Sequence, residues 1–462
     1  MGFFAEKYGY VLGKHYPTVA PSDPSEYLDA VKRGERTIAT RQRNGYDGIY
    51  WLGTDTSVVD YTLYRGITGL AYFYLKLYTV TNDEYYGDLV RESLRYLVKH
   101  WRTLAETPNN EWLSHRERGL YGGIAGLGAV LLEAWRTLGD DDYRNTVTDI
   151  LQWYVDHAER DAHGVYWSGN VAIMLDTGAT LFLIDAYDKL QLDDDALRRT
   201  IIDAGNRILS TGLDDGKGGV WFDIFDGIEN FIEPGFELGS AGVGFLLVRL
   251  YDFTADQRYL DAAKRVDAYL ERLYVPQTKG ALLPYRFDRS GNPLTENGEV
   301  VYYLGICHGP AGTARFYYAL AQATGDEAYR EKVVRLVDGL EAQGAPEHQT
   351  TGLWNSVNYC CGHAGLVHFF IGLYAADHNE RWLDLAKRSA AVILGQEEIL
   401  PNGSSDWPLA FTRIEPDVYS RPVTYYDGIA GIAASLLEVY AVETHQERWL
   451  RIADDPFPER LS

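Results

Sequence analysis

The sequence predicts an all-α fold, an (α/α)7 toroid of seven helical hairpins, and three observations carry that prediction. A Gly-x-x-Gly-type motif recurs along the chain, each copy runs into an apolar, aromatic-rich stretch, and in most units an acidic residue then opens an amphipathic stretch. Such periodicity marks a repeat architecture.

The first glycines stand at 66, 123, 178, 239, 309, 362 and 428, separated by 53 to 70 residues. The copies include Tyr64-Arg65-Gly66-Ile67-Thr68-Gly69, Tyr121-Gly122-Gly123-Ile124-Ala125-Gly126, Glu237-Leu238-Gly239-Ser240-Ala241-Gly242 and Tyr426-Asp427-Gly428-Ile429-Ala430-Gly431, with Asp176-Thr177-Gly178-Ala179-Thr180-Leu181 a weaker third copy. The apolar runs that follow, such as Leu70 to Leu75 and Val243 to Val248, are hydrophobic nearly all round, as a buried helix requires. The next segments begin at Asp83-Glu84, Asp256-Gln257, Asp326-Glu327 and Asn379-Glu380. Carboxylates there complement the helix dipole, and Leu260, Ala263 and Val266 keep helical spacing. Each unit is therefore one buried and one half-exposed helix.

Seven such hairpins bury a continuous core only by stacking, and closing the stack removes its exposed ends. The segment from Pro24 has the outer-helix pattern without an inner helix before it, so a helix over about 24–43 is expected to partner the seventh unit and close one domain spanning 1–462. The glycines then crowd the axis at the inner-helix N-termini. The insertions Gly212 to Pro234 and Tyr274 to Val301 carry loop residues and are expected to shape the mouth.

A formal charge of −23 argues against nucleic acid. With 11 Lys beside 32 Arg, the acidity fits either a salt-loving organism or an ordinary acidic cytosolic protein. The start Met1 to Lys7 lacks a leader's basic and apolar stretches, and no run is long enough to span a membrane, so a soluble cytoplasmic protein is expected.

The three cysteines, Cys307, Cys360 and Cys361, all fall where the glycine motif is interrupted: Gly305-Ile306-Cys307-His308-Gly309-Pro310-Ala311-Gly312 and Tyr359-Cys360-Cys361-Gly362-His363-Ala364-Gly365. Clustered thiols in so long a chain point to a metal or to catalysis rather than a disulfide framework, and together they read as one zinc site. The alternative is three small core residues.

With these two motifs in the fifth and sixth of seven units, the chain resembles the lanthionine synthetase C-like (LanC) family over roughly Tyr64 to Tyr440. The resemblance implies an α/α toroid with one Zn2+ ion that adds a cysteine thiol to dehydroalanine or dehydrobutyrine, closing thioether rings. By it, Cys307 and Cys360 are ligands, and Cys361 takes the place of the usual histidine, as in a three-cysteine subset. The implied partner is a dehydrated precursor peptide, with dehydration left to a separate protein, or a small thiol if no ring is made.

Addition to a dehydroamino acid leaves an enolate that must be protonated. His308 and His363 flank the cysteines and are candidates, His308 standing where the family has tyrosine or histidine; for either, the alternatives are a zinc ligand or a helix-start histidine hydrogen-bonded to backbone. The family's fourth-unit histidine is replaced by Leu238, and the arginine before the fifth-unit cysteine is missing from Tyr302-Tyr303-Leu304. Glu237, Asp176 and Asp427, at inner-helix starts, are the carboxyl candidates to substitute, each of them also a candidate helix cap. Two other readings remain: a non-cyclising zinc protein that binds a thiol such as glutathione, and a toroidal glycoside hydrolase using the 35 Tyr and 11 Trp as sugar platforms.

Overall fold

The computed structural model describes residues 16–53, 59–108, 115–296, 298–348, 353–354, 356–410, 419–446 and 449–459. Residues 1–7, on which the leader expectation rests, lie outside them. Among the described residues there are fourteen α-helices: α1 (Ser25–Ala39), α2 (Ile67–Thr81), α3 (Glu84–Glu106), α4 (Ile124–Leu138), α5 (Asp141–Asp156), α6 (Asp176–Lys189), α7 (Asp195–Ser210), α8 (Ser240–Thr254), α9 (Gln257–Glu271), α10 (Pro310–Thr324), α11 (Glu327–Ala342), α12 (His363–Asp377), α13 (Glu380–Gly395) and α14 (Ile429–Glu443). The even-numbered helices form an inner ring and the odd-numbered ones pack outside it, so the chain adopts the expected all-α toroid. The helix from Pro24 packs on α14, but it stops at Ala39 rather than near 43, because residues 42–45 pair with 48–51 in a hairpin.

The turn between inner and outer helices repeats one local solution. Asn82, Gly139, Ala255, Gly325 and His378 take left-handed backbone at the end of α2, α4, α8, α10 and α12. The next residue, Asp83, Asp140, Asp256, Asp326 or Asn379, accepts a hydrogen bond from the backbone N–H two residues on, and Asp194 does the same for α7. The acidic starts read from the sequence are thus N-caps.

Closure depends on the third residue of each inner helix. Gly69, Gly126, Gly178, Gly242, Gly312, Gly365 and Gly431 occupy this position, and a side chain on any of them would run into the carbonyl oxygen of the loop five or six residues earlier. A methyl there would also lie 2.6–3.4 Å from the neighbouring unit: Tyr425 for Gly69, Leu63 for Gly126, Leu120 for Gly178, Ile173 for Gly242, Phe236 for Gly312, Gly305 for Gly365 and Tyr359 for Gly431. These seven contacts run once round the ring and close on themselves.

This geometry corrects the third motif. Gly178 is the second glycine, and Leu175 stands where the first would be, as the residue before α6. Asp176 is therefore the first residue of its helix, whereas Glu237 and Asp427 precede theirs.

Short two-stranded ribbons link the outer helices to the following motifs, and residues 231–232 pair with 287–288, joining the two long insertions. At the opposite end of the ring, residues 449–459 enter the core. There Arg315 and Tyr121 bond Asp454 (2.8 Å each), His368 lies between Glu438 and Asp455 (2.9 and 2.7 Å), and Lys76 pairs with Glu438 (2.7 Å). No described helix is long and apolar enough to cross a membrane.

Gly178→Ala is expected to destabilise the protein by about 2 kcal/mol, the cost of forcing an extra carbon into a packed core. A urea midpoint unchanged from wild type would contradict the assigned register.

Candidate metal centre

The cysteines meet because two backbone segments touch. Gly305 has no side chain to hold off the Cys360–Cys361 backbone, where a methyl would lie 2.7 Å from the Cys361 Cα. Gly305 N–H donates to Cys361 O (3.1 Å) and Cys307 N–H to Cys360 O (3.2 Å). Cys360 N–H donates to Tyr426 O, while Phe236 and Glu237 N–H both donate to Cys307 O, so units four to seven are tied by backbone alone. The Asn358 side chain accepts from Cys361 N–H (3.1 Å) and from the Ser356 hydroxyl (2.7 Å), holding the approach to α12.

The Cys307 and Cys361 sulfurs are 3.4 Å apart, too far for a disulfide, and all three Sγ atoms lie within 4.8 Å of one another. Cys307 and Cys360 are buried, while Cys361 is partly exposed. Hydrogen bonds from the Cys307 and Cys360 thiols lower the Cys361 pKa to about 6. Burial pushes Cys307 well above the ordinary thiol range. Cys360 also rises well above it: its bond with Cys307 pulls the other way, but the bond with Cys361 and burial prevail. One thiolate is thus accommodated without a cation, and ionising all three requires one. The group can hold a metal ion.

Glu237 and His308 stand against this cluster, each offering a ligand atom within 4.8 Å of the other and of Cys307 Sγ. Glu237 Oε2 lies 3.7 Å from Cys360 Sγ. Burial, reinforced by the Cys360 charge, raises the Glu237 pKa well above the carboxylate range. Burial lowers His308 to about 3, with Arg286 adding to the shift, so its ring is neutral. Asp427 accepts from the Tyr64 hydroxyl (3.1 Å) and from Arg65 Nε (2.9 Å).

The other two candidates have different surroundings. Asp176 turns back to its own approach loop, accepting from Ser168 N–H and Oγ (2.8 Å each) and from Gly169 N–H (3.0 Å). The fully buried His363 places Nδ1 and Nε2 each 2.8 Å from a carbonyl, those of Ser356 and Pro346. Neither belongs to the two ligand groups found among the described residues.

Sequence reasoning missed Glu233, Tyr285 and Arg286. The Glu233 side chain is fully buried, and its Oε1 accepts from Arg286 Nε and Nη2 (2.7 Å each). The Tyr285 and Tyr303 rings flank His308, with centroids 4.7 and 5.2 Å from it. Glu233-Pro234-Gly235 directly precedes the fourth motif and was the one available signal. Arg286 carried none, since the pairing of the two insertions brings it in.

The family profile for lanthionine synthetase C-like protein matches residues 57–452. The chain belongs to the lanthionine synthetase C-like family. Among solved structures, nisin cyclase is similar in fold, with a TM-score of 0.60 at 14% identity over 91% of this chain and 94% of that one. A GH76 α-mannanase from Bacteroides thetaiotaomicron aligns with a TM-score of 0.48 at 16% identity over 92% of this chain and 99% of that one. In this LanC-like chain the cysteine-bearing fifth and sixth units both lie within the matched span.

Replacing Cys307, Cys360 or Cys361 by Ala is expected to weaken metal binding at least tenfold, since loss of even an outer orienting partner costs about 10- to 100-fold. Metal content per chain, measured on protein purified without added metal, checks each residue separately. His363→Ala retains the metal, and a metal-free H363A protein that folds normally would contradict the placement of this ring.

Proposed function

We propose that the chain is a zinc-dependent peptide cyclase that adds cysteine thiols to dehydroalanine or dehydrobutyrine and so forms lanthionine or methyllanthionine rings. The observation that carries this reading is the cluster of three unbridged cysteine sulfurs from consecutive units, beside a buried carboxyl group. Tetrahedral zinc with Zn–S bonds near 2.3 Å sets its sulfurs about 3.8 Å apart, a spacing that three sulfurs within 4.8 Å meet with little movement. A set of soft thiolates also favours zinc over magnesium or calcium. The family membership and the nisin cyclase likeness support a cyclase-type activity.

Cys307, Cys360 and Cys361 would hold the ion. Zinc, when bound, lets a substrate thiol enter as thiolate at neutral pH. The neutral His308 ring orients the incoming thiol by accepting a hydrogen bond from its S–H before that proton leaves to solvent, and partly exposed Cys361 marks the side from which the peptide approaches. The sulfur pair then forms the bond to the β-carbon while the alkene π pair moves toward the carbonyl oxygen. Glu237 delivers a proton to the α-carbon and recovers one from solvent or from the next thiol, so S–H has added across C=C and the mass is unchanged. Glu237 thereby takes the work of the family histidine that Leu238 replaces. Asp176 and His363 hold structure, the first securing the 168–169 loop and the second bridging the approach to α12. The peptide comes from a separate dehydratase.

A second reading, a zinc protein that binds a small thiol without making rings, is favoured by the apolar Leu238, which is only 2% exposed. Incubating the zinc-loaded protein with a dehydrated peptide bearing free cysteine distinguishes the two: ring formation consumes alkylatable thiol at constant mass. A rate no faster than the spontaneous addition would leave the thiol-binding reading in place.

Glu237→Gln is expected to lower kcat about 10²- to 10⁴-fold, the usual contribution of a general acid, while zinc content stays at the wild-type level. Unchanged turnover would remove Glu237 from the reaction. Asp176→Asn lowers the thermal midpoint and spares kcat; the reverse pattern would return Asp176 to the chemistry.

A further inference from the structure

Beside the sulfur cluster lie two buried polar atoms that face each other without a hydrogen bond: Glu233 Oε2 and His308 Nδ1, 3.5 Å apart. Neither has another hydrogen-bond partner among the described residues. Leaving two such groups unmet is costly, at roughly 1–3 kcal/mol each. The Glu233 side chain is fully buried and that of His308 nine-tenths buried, so bulk water does not relieve either of them.

The surroundings restrict how the pair is satisfied. Glu233 Oε1 is occupied by two Arg286 nitrogens, so the carboxylate presents only Oε2 to the ring. Burial raises the Glu233 pKa to about 7, with Arg286 opposing the rise, so the group is an acceptor in mildly alkaline solution. The imidazole cannot rotate freely. Tyr285 and Tyr303 stand on its sides, and Gly235 meets the His308 backbone so closely that a methyl there would lie 3.0 Å from its Cα. A carboxylate oxygen opposite Nδ1 stabilises a proton on that nitrogen, and a neutral ring with Nδ1 protonated carries its lone pair on Nε2.

We propose that Glu233 is a positioning residue that fixes His308 in the Nδ1-protonated tautomer, leaving Nε2 as an acceptor for the substrate thiol. Its consequence for catalysis rests on the cyclase reading above, whereas the tautomer itself does not. The arrangement also accounts for Arg286, drawn from a distant insertion: it cancels the charge of a carboxylate that has to stay ionised beside thiolates. Glu233 touches no reacting atom and acts only through the ring.

The test is two-bond proton–nitrogen NMR of 15N-histidine-labelled, zinc-loaded protein at pH 8, with the His308 signals assigned by their loss in His308→Gln. Wild-type protein is expected to show a protonated Nδ1 and an unprotonated Nε2. In Glu233→Gln, Arg286 retains the amide oxygen and the amide N–H₂ turns to Nδ1, so the two signals exchange character, while Glu233→Asp retains the wild-type pattern. In the ring-forming assay, Glu233→Gln lowers kcat about 10- to 100-fold, the typical cost of losing an orienting partner, with KM little changed. A wild-type ring protonated at Nε2, or a tautomer unmoved by Glu233→Gln, overturns the proposal even if rings are made. If the tautomer responds as expected but no rings form, the cyclase reading falls and the positioning role stands. Should Glu233→Gln fail to fold, the wild-type spectrum and Glu233→Asp decide.

Discussion

The structure depends on one contact repeated seven times: the third residue of each inner helix, always glycine, pressed against the loop of the neighbouring unit. A closed ring has no free end at which to absorb a misfit, so a side chain at any of these positions separates two units and strains the remaining contacts. The same contact gathers seven helix N-termini around one axis. Many of their first N–H groups donate to carbonyls of the approach loops, and their aligned dipoles favour negative charge there, which suits thiolates. Fold closure and site chemistry thus share one geometric cause.

The metal centre follows from that crowding. Backbone hydrogen bonds from Cys307 to Cys360, and from Gly305 to Cys361, bring the sulfurs together through the fold itself, so an ion would complete a group that the chain has already assembled. The aromatic residue preceding several of the glycine motifs adds support from below. Tyr64 stacks on Tyr426 with centroids 4.8 Å apart, and Tyr359 packs against both Tyr425 and Tyr426. These rings fill the space that the glycines leave open around the axis, giving the cysteine-bearing loops a rigid floor.

The features readable from the sequence were those set by local chemistry. Glycine spacing located six of the seven inner-helix starts, the Asp and Asn caps located the outer ones, and the cysteines announced themselves by interrupting the motif. The third copy was misread by three residues because Leu175 replaces its first glycine, which left a lone Gly178 with two possible registers. Asp176 consequently looked equivalent to Glu237, although its carboxylate turns back to its own loop. Arg286 was invisible for a different reason, and Glu233 was marked only by its place just before the fourth motif. They meet only where residues 231–232 pair with 287–288, and that pairing of two insertions leaves no periodic mark. The ionic plug at residues 449–459 is equally non-local: its partners Tyr121, Arg315 and His368 come from three separate units.

Charge balance sets where a proton resides among the carboxyl groups near the cysteines. Three buried carboxyl groups surround the cysteines. Glu233 is bonded to Arg286 and Asp427 to Arg65, so each of these negative charges has a cation in contact. Glu237 has no bonded cation among the described residues and faces the Cys360 sulfur instead. Placed beside a thiolate, a carboxylate pays for both desolvation and like-charge repulsion, and a neutral acid avoids both. Glu237 therefore keeps its proton near neutral pH. The Arg116 charge acts on Glu237 in the opposite sense, but burial and the Cys360 and Asp427 charges outweigh it, which suits Glu237 to the acid role proposed for it where Leu238 replaces the family histidine.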